Sequence, residues 1–75
     1  MAFHVNKITV NAREHIVWQS EVSFEDVCFL AQSPRSATVT FKNALGDKTE
    51  GCLSKGQTVR IQDGTRFSAV VTDNA

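Results

Sequence analysis

The chain has 75 residues, with eight basic and eight acidic side chains in mixed order and no formal net charge. That length is one domain at most, burying only about 60% of its unfolded surface, so every large apolar residue is expected to pack. Without a basic field or a run of like charge, nucleic acid and an anionic membrane are poor default partners.

The longest apolar stretches fall far short of the roughly 20 residues a membrane span needs, and the N-terminus lacks the basic-then-apolar pattern of a signal peptide. A cytoplasmic protein is the expectation. Cys28 and Cys52 are then read as reduced thiols buried as small hydrophobes.

Lys7-Ile8-Thr9-Val10 alternates polar with β-branched apolar residues, the pattern of a half-buried strand with Ile8 and Val10 facing a core. Asn11 to Glu14 is a polar, turn-length break, and His15-Ile16-Val17-Trp18-Gln19 reads as a second strand. The two make an N-terminal hairpin. Trp18 is assigned to the core, the alternative being an exposed anchor.

The clearest local signal is Val22 to Ala31. Ser23 can cap a helix, Asp26 stands where a capping box places its acid, and Val22 and Val27 have staple spacing. Phe24, Val27, Cys28 and Ala31 fall at i, i+3, i+4 and i+7 on one face, while Glu25, Asp26 and Gln32 look outward. The helix is expected from Ser23 to about Gln32, stopped by Pro34.

Ala37 to Lys42 alternates again as a third strand, with Val39 and Phe41 inward. Asn43 to Gly51 reads as an exposed loop, Cys52-Leu53 as a short edge strand, and Val59-Arg60-Ile61 as a brief apolar contact rather than a strand. Asp63-Gly64 is a tight turn, and Arg66 to Val71 is the last strand, with Phe67, Ala69 and Val71 inward. Residues 1–71 then form the domain, and Thr72-Asp73-Asn74-Ala75 a loose polar tail.

Hairpin, helix and returning strand leave the helix on one face of a sheet through a right-handed crossover. The last strand, strongly apolar after a long polar excursion, belongs in the middle. This is an α+β fold of the β-grasp type, a mixed sheet with one helix packed on one face.

The order of elements resembles ubiquitin. The segment Val59-Arg60-Ile61-Gln62-Asp63-Gly64-Thr65-Arg66-Phe67-Ser68-Ala69-Val70-Val71-Thr72-Asp73 is similar to the closing segment of bacterial multiubiquitin-domain proteins, as are Thr38-Val39-Thr40-Phe41-Lys42-Asn43 and the spaced Gly51, Leu53 and Gly56. The resemblance implies a protein modifier that catalyses nothing itself and needs no cofactor. Its partners would be an activating enzyme, a conjugating enzyme, a metal-dependent deconjugating peptidase and target proteins, joined through isopeptide or ester bonds. Ala75, Asn74, Asp73 and Thr72 would be the acyl donor and its tail. Such modifiers commonly occur as several copies in one chain, where one is present here, and usually end in Gly-Gly, where this chain ends in Asn74-Ala75. The outward residues Thr40, Lys42, Ser68 and Val70 would form a partner surface beside the tail.

Two other functions fit the same residues: a β-grasp binding module that is never conjugated, and a sulfur carrier with a C-terminal thiocarboxylate. Catalysis and metal binding find no support in the pattern. His4 and His15 lack Cys or His partners at ligand spacing, Cys28 sits on an apolar helix face with no visible base, and paired carboxylates, a Ser-His arrangement and a phosphate-binding glycine loop are missing.

Overall fold

A computed structural model describes residues 5–71. His4 and the tail residues Thr72, Asp73, Asn74 and Ala75 lie outside the described residues. Within them the order is β1 (Asn6–Val10), β2 (Arg13–Val17), β3 (Glu21–Ser23), α1 (Phe24–Ala31), β4 (Thr38–Lys42), β5 (Gly51–Leu53), β6 (Thr58–Arg60) and β7 (Arg66–Val70). The main sheet runs β2-β1-β7-β4-β5, with β1 and β7 parallel and the other neighbours antiparallel. The last strand is central, and the β-grasp arrangement expected from the sequence is present.

The core lies between α1 and one face of this sheet. Ile8 and Val10 from β1, Val39 and Phe41 from β4, Phe67 and Ala69 from β7, and Phe24, Val27 and Cys28 from α1 are all buried in one cluster. Period-two strands and a 3.6-residue helix period put these side chains on facing surfaces. The helix begins as the sequence dictates: the Ser23 hydroxyl accepts from the Asp26 amide and an Asp26 carboxylate oxygen accepts from the Ser23 amide, each at 3.0 Å. Val22 and Val27, the staple pair, are both buried. At the other end Gln32 takes a left-handed conformation, φ 55°, so that the Ser33 amide reaches the Cys28 carbonyl at 2.9 Å. The chain has therefore reversed before Pro34 is reached.

The N-terminal hairpin is tighter than the sequence suggests. Asn11 and Ala12 alone form the turn, with φ of 50° and 66°, and β2 starts at Arg13 and ends at Val17 rather than spanning His15 to Gln19. Positive φ at both central positions is the twist a two-residue hairpin turn needs. Asn11 then continues the β1–β7 ladder with its side chain. Its amide donates to the Phe67 carbonyl at 3.0 Å, its Nδ2 donates to the Ala69 carbonyl at 3.1 Å, and its Oδ1 accepts from the Ala69 amide at 2.8 Å. The side-chain amide thus takes the place of a peptide group where β1 has run out.

A second, two-stranded sheet was not expected. β3 pairs antiparallel with β6, Val22 opposite Val59, so the segment around Val59 is a strand and not merely an apolar contact. The Phe24 amide donates to the Gln57 carbonyl and the Ile61 amide to the Ser20 carbonyl, each at 3.0 Å, extending the ladder at both ends. Three residues a side are too few for a period-two pattern to register. The loop after β4 is exposed as expected except at Ala44, which is buried. Buried Thr65 pins it by donating from Oγ1 to the Asn43 carbonyl at 2.8 Å while accepting from the Gln62 amide.

Four expectations about packing are overturned. Trp18 is 68% exposed, because β2 ends before it, and Val71 is exposed because β7 ends at Val70. Cys52 is exposed, since it sits opposite Thr40 on the side of the sheet away from the helix. Not every large apolar residue packs either: Ile16, Phe29 and Val70 are exposed as well. A domain this small, with one sheet face uncovered, lacks enough buried volume for all of them.

Candidate functional site

The face of the sheet away from α1 carries the alternate side chains of every strand. Register fixes who stands beside whom. Thr40 is opposite Ser68, Thr38 opposite Val70, and Lys42 opposite Arg66 across the β4–β7 pair, while Thr9 of β1 is opposite Arg66 on its other side. The four residues expected to form a partner surface, Thr40, Lys42, Ser68 and Val70, therefore share one face, on the central strand and its neighbour. Thr40, Lys42 and Val70 are exposed and Ser68 is half-buried.

Sequence reasoning missed two members of this face. Arg66, exposed at the start of β7, stands directly across from Lys42, and the Thr9 hydroxyl borders it from β1. A shallow open depression runs between them, lined by Thr9, Asn11, Thr40, Lys42, Arg66 and Ser68 among others; among the described residues no carboxylate lines it. The signal that could have found Arg66 is its parity: it alternates with Phe67 and Ala69 and so must face away from the core. Its pairing with Lys42 is a matter of strand register, which no periodicity reveals.

Elsewhere the chemistry is sparse. Both cysteines are free; Cys28 is buried on α1, where desolvation, reinforced by the nearby Glu25 charge, pushes its thiol pKa up and makes it a poor nucleophile. His15 faces inward from β2 with its Nε2 buried and without a hydrogen-bond partner. Among the described residues, no group of three or more His, Cys, Asp or Glu side chains could hold a metal ion, and no helix is long and apolar enough to cross a membrane. What the face offers to solvent is hydroxyls and cations on the strands of the sheet.

Comparison with known proteins agrees with the fold. No curated protein and no solved structure gives a significant match. The Multiubiquitin family model matches residues 6–73, which takes in every strand and the helix. By that match and by its helix-on-sheet architecture with the last strand central, the chain belongs to the Multiubiquitin family of ubiquitin-like domains.

Proposed function

We propose that the protein is a ubiquitin-like modifier, not itself an enzyme, which is activated at its C-terminal carboxylate and passed by a conjugating enzyme to target proteins. The observation that carries this reading is membership of the Multiubiquitin family along nearly the whole chain. In the sequence the tail Thr72-Asp73-Asn74-Ala75 comes one residue, Val71, after the end of β7, the central strand.

The chemistry needs little from the modifier beyond a presented carboxylate. That group attacks the α-phosphate of ATP on the activating enzyme, releasing pyrophosphate and forming an acyl adenylate. A cysteine thiolate of the enzyme then takes the acyl group and AMP leaves. A conjugating enzyme's cysteine accepts it by thioester exchange, and an amine or hydroxyl of the target closes an isopeptide or ester bond. A metal-dependent peptidase would hydrolyse that bond. Thiolates and ATP suit a reducing cytoplasm. During these steps Thr40, Lys42, Ser68 and Val70 give the enzymes a surface to hold while the tail enters the active site.

Asn74 and Ala75 stand where such modifiers usually have two glycines; with Ala75 as acyl donor, an activating enzyme would have to admit the Asn74 side chain. The experiment is to offer the cognate activating enzyme and ATP the full chain, a chain ending at Asp73, and a chain extended beyond Ala75. A thioester-linked adduct is expected with the full chain and is lost or greatly reduced with the other two, while thermal unfolding is unchanged in all three. Adducts that form equally well in all three would remove the tail chemistry and favour a binding module that is never conjugated; a mass change equal to exchange of one oxygen for sulfur would identify a sulfur carrier.

A further inference from the structure

We propose that the outer face recognises an acidic segment of a partner protein, whose carboxylates are clamped by Lys42 of β4 and Arg66 of β7 and flanked by the hydroxyls of Thr9, Thr40 and Ser68. The inference deepens the modifier reading by giving its partner surface a chemistry. Lys42 and Arg66 are cross-strand neighbours, which sets their Cβ atoms roughly 5 Å apart on one face. Like charges in that arrangement repel, and in an isolated domain the pair is a defect.

The chain has eight acids, yet among the described residues none of them lines the depression between the two cations. Glu14 is opposite Thr9 on β2, a full strand beyond Arg66 and so about 10 Å away by strand spacing. Glu50 comes just before β5, whose first residue Gly51 is opposite Phe41, and it forms no ion pair with Lys42. Among the described residues, neither cation is paired. An incoming carboxylate relieves the repulsion that the fold leaves in place. Arg66 offers a planar fork suited to one carboxylate, and Lys42 a point charge for a second. Two cations on a chain with no net charge are too few to hold a nucleic acid by its phosphates. A short acidic peptide lying across the strands matches them in number and reach.

The test titrates a capped hexaglutamate peptide into the isotopically labelled full chain at low salt and follows the backbone amide signals. Saturable shifts are expected at Thr9, Thr40 to Lys42 and Arg66 to Ser68. Binding should weaken about tenfold in Lys42→Gln/Arg66→Gln, the size expected for two exposed ion pairs. A control, Lys48→Gln/Lys55→Gln, removes the same charge away from this face and should bind as the parent does. Equal weakening in the control, shifts that never saturate or that map elsewhere, or tighter binding of inorganic phosphate than of the peptide would each overturn the proposal. The titration uses no enzyme and leaves the tail intact, so it can fail while adduct formation succeeds, and the reverse.

Discussion

The two faces of the central strands are built by different rules. Toward the helix, Ile8, Val10, Val39, Phe41, Phe67 and Ala69 are sealed into one cluster. Toward solvent, the residues between them are Lys7, Thr9, Thr40, Lys42, Arg66 and Ser68. Every inner position serves packing. The outer ones keep the β-strand backbone but are only half-buried, as at Thr9 and Ser68, or exposed, and at Lys42 and Arg66 the face accepts a repulsion that an exchange of one side chain would remove. The inner face explains why the domain folds; the outer face is left open to solvent.

Two isoleucines bring the difference to one residue type. Ile8 is 0% exposed on the inner face of β1, whereas Ile16 is 57% exposed on the outer face of β2, opposite Lys7. Ile8→Ala should lower unfolding free energy by about 3 kcal/mol, through lost transfer energy and the cavity left behind. Ile16→Ala should cost under about 0.5 kcal/mol. For a domain whose whole stability is on the order of 5 kcal/mol, the first change removes more than half of it and leaves roughly 3% of the population unfolded. Urea titrations of the two variants, compared at equal slope, read the difference directly. Similar losses would mean that the outer face is packed and not free for partners.

Asn11 stands at the hairpin end of the sheet, at the edge of the outer depression. Its side chain carries both hydrogen bonds to the Ala69 backbone, in the middle of the central strand. Asn11→Gly separates the two reasons for an asparagine there, since glycine relieves the positive φ while deleting the amide. We expect a loss of about 1–2 kcal/mol, because the Ala69 amide and carbonyl lose their partners. Faster hydrogen exchange at the Ala69 amide should accompany it. A variant as stable as the parent would show that the turn conformation alone selects the residue.

What could be seen in the sequence follows from how each feature is encoded. The helix start was legible because Ser23, Asp26, Val22 and Val27 write it within a single turn, and the inner face because Ile8, Val10, Val39 and Phe41 repeat at period two. The β3–β6 pair was hidden, since Val22 and Val59 become partners only after the chain has folded around α1. Trp18 misled because its size argues for burial while its position, one residue past the end of β2, decides against it. Thr40, Lys42, Ser68 and Val70 were placed on the open face by parity alone. Arg66 and Thr9 share that parity, but that Arg66 stands beside Lys42 and Thr9 follows only from register, for a cross-strand neighbour is fixed by the pairing of two distant segments.

Register also gives the smallest prediction, and the one that most sharpens the contrast between the faces. If Arg66 and Lys42 repel across the β4–β7 pair, Arg66→Thr should not destabilise the domain, although it removes a long side chain from the central strand. Threonine keeps β-propensity, and losing the like-charge contact should raise stability by a few tenths of a kcal/mol, the scale of one cross-strand pair. The size of the gain depends on ionic strength. At roughly 1 M salt the Debye length falls to about 3 Å, shorter than the separation of the pair, so the advantage of the variant should fade. Denaturant midpoints for parent and variant at low and high salt measure this. A variant less stable than the parent at both salts would mean that the Arg66 stem packs on Thr9 and contributes more than its charge costs, and the outer face would then be built for stability as the inner one is.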